Sequence, residues 1–230
     1  MSETILQDCL IETGLDNSFF FISEGSKRII TKNLAPGIRV YDEKLINIEK
    51  EEYRTWNPFR SKLAALVIKG SSITIKKNYN VLYLGAANGT TPSHVSDIVT
   101  VGTVFAVEFS PRAMKDLINV ASSRMNLVPI LSDAANPESY QNMVPGVDII
   151  YQDVAQRDQA GIAIRNAKFF LKKDGILVLM IKARSIDSTG DPQDVADMEV
   201  RKLERIFKVK EMVNLEPFHC DHFAVVAQKI

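Results

Sequence analysis

The sequence predicts a doubly wound α/β fold built on a buried, mainly parallel sheet. Two observations carry that prediction. After Asn78, short apolar runs alternate with helical segments, and the runs are nearly continuous in apolar residues, as strands covered on both faces require. The polar residues with chemical potential fall just after those runs, at 85–91, Glu108, Asp133, Asp153 and Lys182. That is where doubly wound sheets bind ligands, outside the carboxyl ends of their strands.

Taken in order, the chain opens with a β-rich stretch. Phe19-Phe20-Phe21-Ile22, Lys27-Arg28-Ile29-Ile30-Thr31 and Arg39-Val40-Tyr41 are strand-like, with turn signals at Glu24-Gly25-Ser26 and Ala35-Pro36-Gly37. Residues 53–60 lead into a helix over 61–68, closed by Gly70. Val81–Leu84 is the first strand of the alternating region, followed by a glycine-rich turn and a helix near 92–99. The next strand covers 103–108, and Ser110-Pro111 opens a helix with an N-cap and a proline at its first position. Further strands are expected at 127–131, 147–151 and 175–181, with helices between. Asp191-Pro192 starts a helix running to about Phe207, and strands at 209–215 and 223–227 close the chain.

At 230 residues the chain suits one well-cored α/β unit with a small appendage. Met1-Ser2-Glu3-Thr4 lacks the basic and apolar regions of a signal peptide, and no apolar stretch is long enough to span a bilayer. Cys9 and Cys220 lie far apart, without zinc-ligand spacing, so no metal is expected and a cytoplasmic location is. Lys and Arg total 28 and Asp and Glu total 28, a formal charge of zero. A protein that holds nucleic acid unaided usually carries a basic surplus, because affinity comes largely from displacing phosphate counterions. If the substrate is RNA, a local basic face or a partner must deliver it.

The residues after the strands suggest an adenosine cofactor. Gly85 and Ala86, in Gly85-Ala86-Ala87-Asn88-Gly89-Thr90-Thr91, let a ligand approach the backbone, and Thr91 is placed to cap the helix behind. The segment is neither GxGxxG nor a P-loop, and a plain strand-to-helix turn would read the same way. Glu108 lies roughly twenty residues on, where an acid binds ribose hydroxyls. Asp133-Ala134 can accept from an adenine amino group, although Asp is also a common loop residue. Asp153 and Lys182 end neighbouring strands, which would bring them together. A strand-end Lys can simply snorkel, but a Lys held beside an Asp in a cleft is a candidate for acid–base work. His222 begins the last strand and reaches the same edge if that strand is antiparallel; a structural histidine is the alternative. His94 and His219 have no evident partner and read as structural.

Together these segments resemble fibrillarin, the RNA 2′-O-methyltransferase of box C/D ribonucleoproteins. The resemblance is carried by Tyr53-Arg54-Thr55-Trp56-Asn57-Pro58-Phe59-Arg60-Ser61-Lys62-Leu63-Ala64-Ala65 and by residues 81–91. It continues through 93–99, Ala106-Val107-Glu108-Phe109-Ser110, Asp153-Val154-Ala155-Gln156 and Ile186-Asp187-Ser188-Thr189, nearly the whole chain. It implies a Rossmann-like methyltransferase domain at 56–230, with a seven-stranded, mostly parallel sheet whose last strand is antiparallel. It also implies a small β-rich domain at 1–55. S-adenosylmethionine contacts map to Thr90-Thr91, Glu108-Phe109, Asp133-Ala134 and Asp153, Val154, Ala155 and Gln156, and the catalytic set to Lys62, Asp153, Lys182 and His222. A glycine-arginine-rich leader is absent, as in archaeal members.

The implied reaction is in-line methyl transfer to a ribose hydroxyl of rRNA or tRNA, with alignment and a positioned base as the enzyme's contribution. Lys182 is expected to activate the hydroxyl, with Asp153 orienting that lysine and countering its charge, while Lys62 and His222 hold the ribose and tune the electrostatics. The implied partners are a Nop-family scaffold protein, a kink-turn-binding ribosomal-protein-like protein, a box C/D guide RNA and the target RNA. Two other readings stay open: an enzyme of this fold acting on a protein side chain such as glutamine, and a non-catalytic RNA-binding module.

Overall fold

Two of the three strand-like runs of the first quarter, at 19–22 and 27–31, fall in one antiparallel sheet. Its strands are β1 (Cys9–Glu12), β2 (Ser18–Ser23), β3 (Ser26–Lys32), β4 (Leu45–Ile48) and β5 (Glu51–Trp56), in the order β1-β2-β3-β5-β4. The computed structural model describes residues 9–23 and 26–230. The leader reading at Met1–Thr4 and the Glu24-Gly25 half of the predicted turn lie outside the described residues. Three of these strands, β1, β4 and β5, escape sequence reading. β5 buries Arg54 completely, which breaks the apolar alternation, and β4 follows a predicted strand that does not exist. At Arg39-Val40-Tyr41 the backbone N–H groups of Val40 and Tyr41 donate to the Glu43 carboxylate (2.9 and 2.8 Å), so they join no sheet. β5 also ends at Trp56, so residues 53–56 are strand rather than the approach to a helix.

The alternating region forms a seven-stranded sheet: β6 (Val81–Leu84), β7 (Val104–Glu108), β8 (Leu127–Leu131), β9 (Val147–Gln152), β10 (Leu171–Lys182), β11 (Phe207–Asn214) and β12 (His222–Lys229). The order is β11-β12-β10-β9-β6-β7-β8, all parallel except β12, which runs antiparallel to both β10 and β11. Strand order reverses between β6 and β9, which defines the switch point where such sheets bind ligands. Alternate residues of the buried strand β6 serve two cores. Val81 and Tyr83 pack on one face with α1 (Lys62–Ile68) and α2 (Thr90–Ile98), while Leu82 and Leu84 pack on the other with α4 (Gln159–Phe169) and α6 (Pro192–Leu203). The remaining helices are α3 (Pro111–Ala121), the single turn α5 (Ala183–Ile186) and a 3-10 turn at Pro137–Tyr140. α3 starts as its sequence predicts, with Ser110 as N-cap and Pro111 inside. α6 stops at Leu203 instead of Phe207, which is buried as the first residue of β11.

A buried charge network joins the two sheets. Asp97 on α2 accepts from Arg54 Nη1 (2.8 Å), the Thr31 hydroxyl (2.8 Å) and Leu34 N (3.0 Å), and pairs with Arg124. Arg54 also pairs with Glu43 (2.8 Å) and donates to Ser93 Oγ (2.9 Å). His94 is not partnerless, as the sequence suggested. Its ring stacks on Trp56 at 4.8 Å, Nδ1 lies 2.8 Å from the Thr31 hydroxyl and Nε2 lies 2.6 Å from the Tyr41 hydroxyl. Because Thr31 gives its proton to Asp97, His94 donates from Nδ1 and accepts at Nε2, the pattern of a neutral imidazole. Burial first, then Arg54 and Arg124, push its pKa well below the ordinary value.

Two expectations follow. Asp97→Asn leaves two buried guanidinium groups short of a counter-charge. Thermal unfolding should show a loss of about 3–5 kcal/mol, or roughly 6–20 °C in Tm; a change below about 1 kcal/mol would mean the network is solvated. His94 stays neutral in the fold while its unfolded form titrates near pH 6.5. As pH falls below about 6.5 the unfolded chain takes up a proton that the native state refuses, so stability declines, by at most ~1.4 kcal/mol per pH unit for one proton. Denaturant titrations between about pH 6.5 and 5 should show this decline. His94→Gln should remove part of it, and the remainder belongs to His219 and His222, whose pKa values are lowered as well.

Candidate active site

The site is assembled at the carboxyl ends of β6, β7, β9 and β10. After β6 the chain turns at Gly85, whose N–H, with that of Ala86, donates to Val107 O (both 3.0 Å). Gly85 has φ +82°, and a Cβ there would lie 2.6 Å from the Asp153 carbonyl oxygen. Glycine is therefore required both by conformation and by the loop packed over it. Gly89, at φ +89°, is the N-cap of α2 and supplies no side-chain cap. Thr91 does not cap the helix as expected: it lies inside α2 and its hydroxyl donates to Ser61 Oγ (3.0 Å), which in turn caps α1. The first N–H groups of α2, at Thr90 and Thr91, thus lack a capping side chain at an end whose dipole favours anions.

Glu108 is buried at the end of β7, where its carboxylate accepts from Ala87 N and Ser110 N (both 2.8 Å). A carboxylate has about four acceptor positions, so two bonds leave capacity for ribose hydroxyls. The neighbouring Phe109 is 72% exposed, an aromatic face open to a ligand. After β8, Asp133 Oδ1 accepts from Ala135 N and from Gln156 Nε2 (both 2.9 Å), fixing the 133–136 loop to the one after β9. Ala134 and Val154 are buried, Ala155 is exposed and Gln156 half-buried. A cleft of about 710 Å³ is lined by Tyr83, the 85–91 turn, Asp153, residues 116–123 of α3 and its following loop, and the 38–41 loop of the N-terminal sheet with Arg60. Glu108, Phe109 and Asp133 lie outside that lining, at the next strand ends.

Beside this cleft, Asp153 is held between two ammonium groups. Lys62 Nζ lies 3.0 Å from its Oδ2 and Lys182 Nζ 2.9 Å from its Oδ1. Lys182 also donates to the Asp153 main-chain oxygen (3.2 Å). Lys62 is the first residue of α1 and Lys182 the last of β10, so sheet and helix converge on one carboxylate. Burial acts to raise the Asp153 pKa, but Lys62 and then Lys182 outweigh it, and the group stays below its ordinary value. The side chains of Lys62, Asp153 and Lys182 are only 15%, 17% and 20% exposed. His222 joins them because β12 is antiparallel and its first residue is in register with Lys182. Its Nδ1 lies 2.6 Å from Cys220 O. A carbonyl can only accept, so Nδ1 carries the proton and Nε2 presents a lone pair. Burial first and then Lys62 and Lys182 lower its pKa, with the hydrogen bond to Cys220 and then Asp153 acting the other way.

His219 is also part of this edge, contrary to its structural reading in the sequence. Its Nε2 bonds Pro58 O (2.8 Å), its ring lies 5.9 Å from that of His222, and burial followed by Lys62 lowers its pKa. Its place three residues before His222 was the available signal. Tyr83 and Tyr151, rings 4.5 Å apart, were also missed. Burial first and then nearby groups including Asp153 raise both hydroxyl pKa values well above normal, so they stay protonated. Nothing in an apolar strand distinguishes such tyrosines beforehand.

The electrostatic coupling can be measured directly. In histidine NMR titrations, His222 should titrate below the ordinary value of about 6.5. Lys62→Met should move it upward by removing a positive neighbour. An unchanged value would separate His222 from the Lys62–Asp153 pair.

Comparison with known proteins supplies the family. The profile of the fibrillarin family matches residues 12–230. A fibrillarin-like rRNA/tRNA 2′-O-methyltransferase of Methanosarcina barkeri is 55% identical over 218 residues, covering 93% of this chain and 96% of its own length. Among solved structures, the Methanococcus jannaschii fibrillarin pre-rRNA processing protein superposes with a TM-score of 0.93 at 47% identity, covering 97% of this chain and 98% of its own. Aeropyrum pernix fibrillarin, solved with natively bound S-adenosyl-L-methionine, gives 0.84 at 44% identity, with coverage of 95% and 99%. The fibrillarin of a fibrillarin/Nop5p complex gives 0.83 at 42%, with coverage of 88% and 94%. With its strand order, its carboxylate between two lysines and this likeness along almost its full length, the chain belongs to the fibrillarin family.

Proposed function

We propose that this chain is an S-adenosylmethionine-dependent methyltransferase that modifies ribose 2′-hydroxyls of rRNA and tRNA as the catalytic subunit of a guide-RNA-directed box C/D ribonucleoprotein. The observation that carries this reading is the ionised Asp153 between Lys62 and Lys182, with neutral His222 beside them, on the rim of a cleft built from the 85–91 turn. The residues present suit the cofactor. Gly85 keeps the turn free of a side chain, Glu108 retains acceptor capacity for ribose, and Phe109 offers an exposed ring for adenine. Asp133 stands ready for the adenine amino group, while Ala155 and Gln156 border the same strand ends.

The cofactor brings a methyl group on a positively charged sulfur that is already a good leaving group. The protein must align the ribose hydroxyl and accept its proton. Asp153 holds both ammonium groups within 3.0 Å of its carboxylate and so fixes their positions. Lys182, on the rigid end of β10, is assigned hydroxyl activation, and Lys62 the stabilisation of the developing alkoxide. Because both lysines act as ammonium groups that favour the alkoxide, the hydroxyl proton passes to the lone pair of neutral His222 Nε2, which also orients the hydroxyl. Such alignment is worth ~7–11 kcal/mol in favourable cases, and a positioned base another ~10²–10⁴-fold.

The RNA must be brought to this edge, because the chain has equal numbers of acidic and basic residues and no net charge. A Nop-family scaffold suits that need, in keeping with the fibrillarin/Nop5p complex among the structural relatives. We assign target choice to a box C/D guide RNA, held with a kink-turn-binding protein. A guide–target duplex presents its 2′-hydroxyls in a wide, shallow minor groove, open to a protein edge. Among the described residues no helix is long and apolar enough to cross a membrane. A cytoplasmic particle is the location this reading implies.

Three measurements test the proposal. Glu108→Ala should weaken S-adenosylmethionine binding in calorimetry by about tenfold or more, and unchanged affinity would remove this acid from the cofactor site. Lys182→Met keeps the packed stem and removes the amine, so cofactor binding should hold while single-turnover methylation on assembled particles drops ~10²–10⁴-fold. Retention of more than about a tenth of the rate would pass the activating role to Lys62. The isolated chain should methylate a target RNA poorly and the reconstituted particle well; efficient, sequence-selective transfer without guide RNA contradicts the particle reading.

A further inference from the structure

The cofactor cleft is not made by the methyltransferase sheet alone. One wall comes from the 38–41 loop of the N-terminal sheet and from Arg60, facing the same space as Thr90, Thr91 and Asp153. This wall is anchored. Tyr41 donates to His94 Nε2 (2.6 Å), its hydroxyl lies 3.1 Å from Thr55 O, and Glu43 holds the backbone of residues 40 and 41. Arg60 lies two residues before Lys62, with its guanidinium paired to Asp42 and its Cζ 5.6 Å from the Tyr41 ring centroid. The cation is thereby pre-positioned by the N-terminal sheet, yet its side chain is 49% exposed. A guanidinium has five donors, and the contact with Asp42 uses one nitrogen.

S-adenosylmethionine carries three charges at its amino-acid end and sulfur: an ammonium, a sulfonium and a carboxylate. The cleft's acids, Asp116 and Asp153, have the sign that suits the two cations. The carboxylate needs donors, and Lys62 and Lys182 are engaged with Asp153. The cations that line the cleft are Arg39 and Arg60, and Arg60 is the one with an ion pair and a ring contact fixing it. A planar, pre-organised guanidinium is the side chain best matched to a carboxylate.

We infer that Arg60, held by Asp42 and Tyr41, binds the methionine carboxylate of the cofactor, so that the N-terminal sheet is a working part of the cofactor site. The inference rests on the cofactor reading above. It gives Arg60 a role in affinity rather than in the transfer step. It also explains why a buried network should fix the N-terminal sheet so firmly to α2: both walls of one cleft must keep their spacing.

The test compares ligands with and without the amino-acid end. S-adenosylmethionine, S-adenosylhomocysteine and 5′-methylthioadenosine are titrated calorimetrically into the wild-type chain and Arg60→Gln. The expected result is a loss of about tenfold or more for the first two and a change under about twofold for methylthioadenosine. Unimpaired methylthioadenosine binding also shows that the variant is folded. Equal losses for all three would mean that Arg60 shapes the cleft, and overturn the assignment. Unchanged affinities with impaired methylation of guide-bound RNA would give Arg60 to an RNA phosphate and overturn it equally. If the wild-type chain binds none of the three, the cofactor reading itself fails, an outcome distinct from a failure confined to the variant.

Discussion

The structure depends on one buried carboxylate. Asp97 sits on α2, the helix whose first turn lines the cleft, and it accepts bonds from the N-terminal sheet, from the segment after β3 and from Arg124 ahead of β8. A desolvated carboxylate is tolerable only with such a full set of donors. Because the donors come from three separate stretches of chain, satisfying Asp97 sets the position of all of them. The pairing of Arg54 with both Glu43 and Asp97 then carries the constraint to the 38–43 loop. A network of this kind is weak support for stability in itself, since a well-packed apolar substitute could do as well. What it supplies is geometry, and the cleft wall at Tyr41 is the part that uses it.

The second carboxylate, Asp153, solves a different problem. It must remain ionised in a largely buried place, and the two lysines achieve this against the cost of burial. The arrangement has a consequence for His222. Two cations and one anion leave a net positive field, which adds to burial in keeping the imidazole neutral. Neutrality, with Nδ1 committed to Cys220 O, is what leaves Nε2 able to accept. Four side chains, from α1, the position after β9, the end of β10 and the start of β12, thus act as one electrostatic unit in which the two lysines lower the pKa values of Asp153 and His222.

The edge that holds these groups is formed largely by strand ends rather than by long flexible loops. Lys182 and His222 are in direct register across β10 and β12. Register between paired strands is fixed by backbone hydrogen bonds and by which face is buried, so their relative position tolerates little slip. A rigid edge of this sort suits a substrate delivered by another body. Under the proposed function the protein spends its surface on alignment and capture of the RNA falls to its partners, in keeping with its zero net charge.

The sequence by itself determined the fold class, because a parallel sheet covered on both faces must be written in apolar runs and its helices begin with recognisable caps such as Ser110-Pro111 and Asp191-Pro192. It also placed Glu108, Asp133, Asp153 and Lys182 at strand ends, and chain direction alone puts those ends on one edge. Other features depended on contacts between distant segments. The burial of Arg54 turned a charged stretch into β5, and the Glu43 carboxylate drew Arg39-Val40-Tyr41 out of strand geometry. Gly89 rather than Thr91 stands at the head of α2, because Ser61 claims the threonine hydroxyl. His94, His219, Tyr41 and Arg60 take their places from partners 14 to 161 residues away or from the cleft they share, none of them visible in local sequence. Local pattern encodes which segments are buried; tertiary structure alone decides which polar groups meet, because a buried charge is settled by whichever donor the fold brings to it.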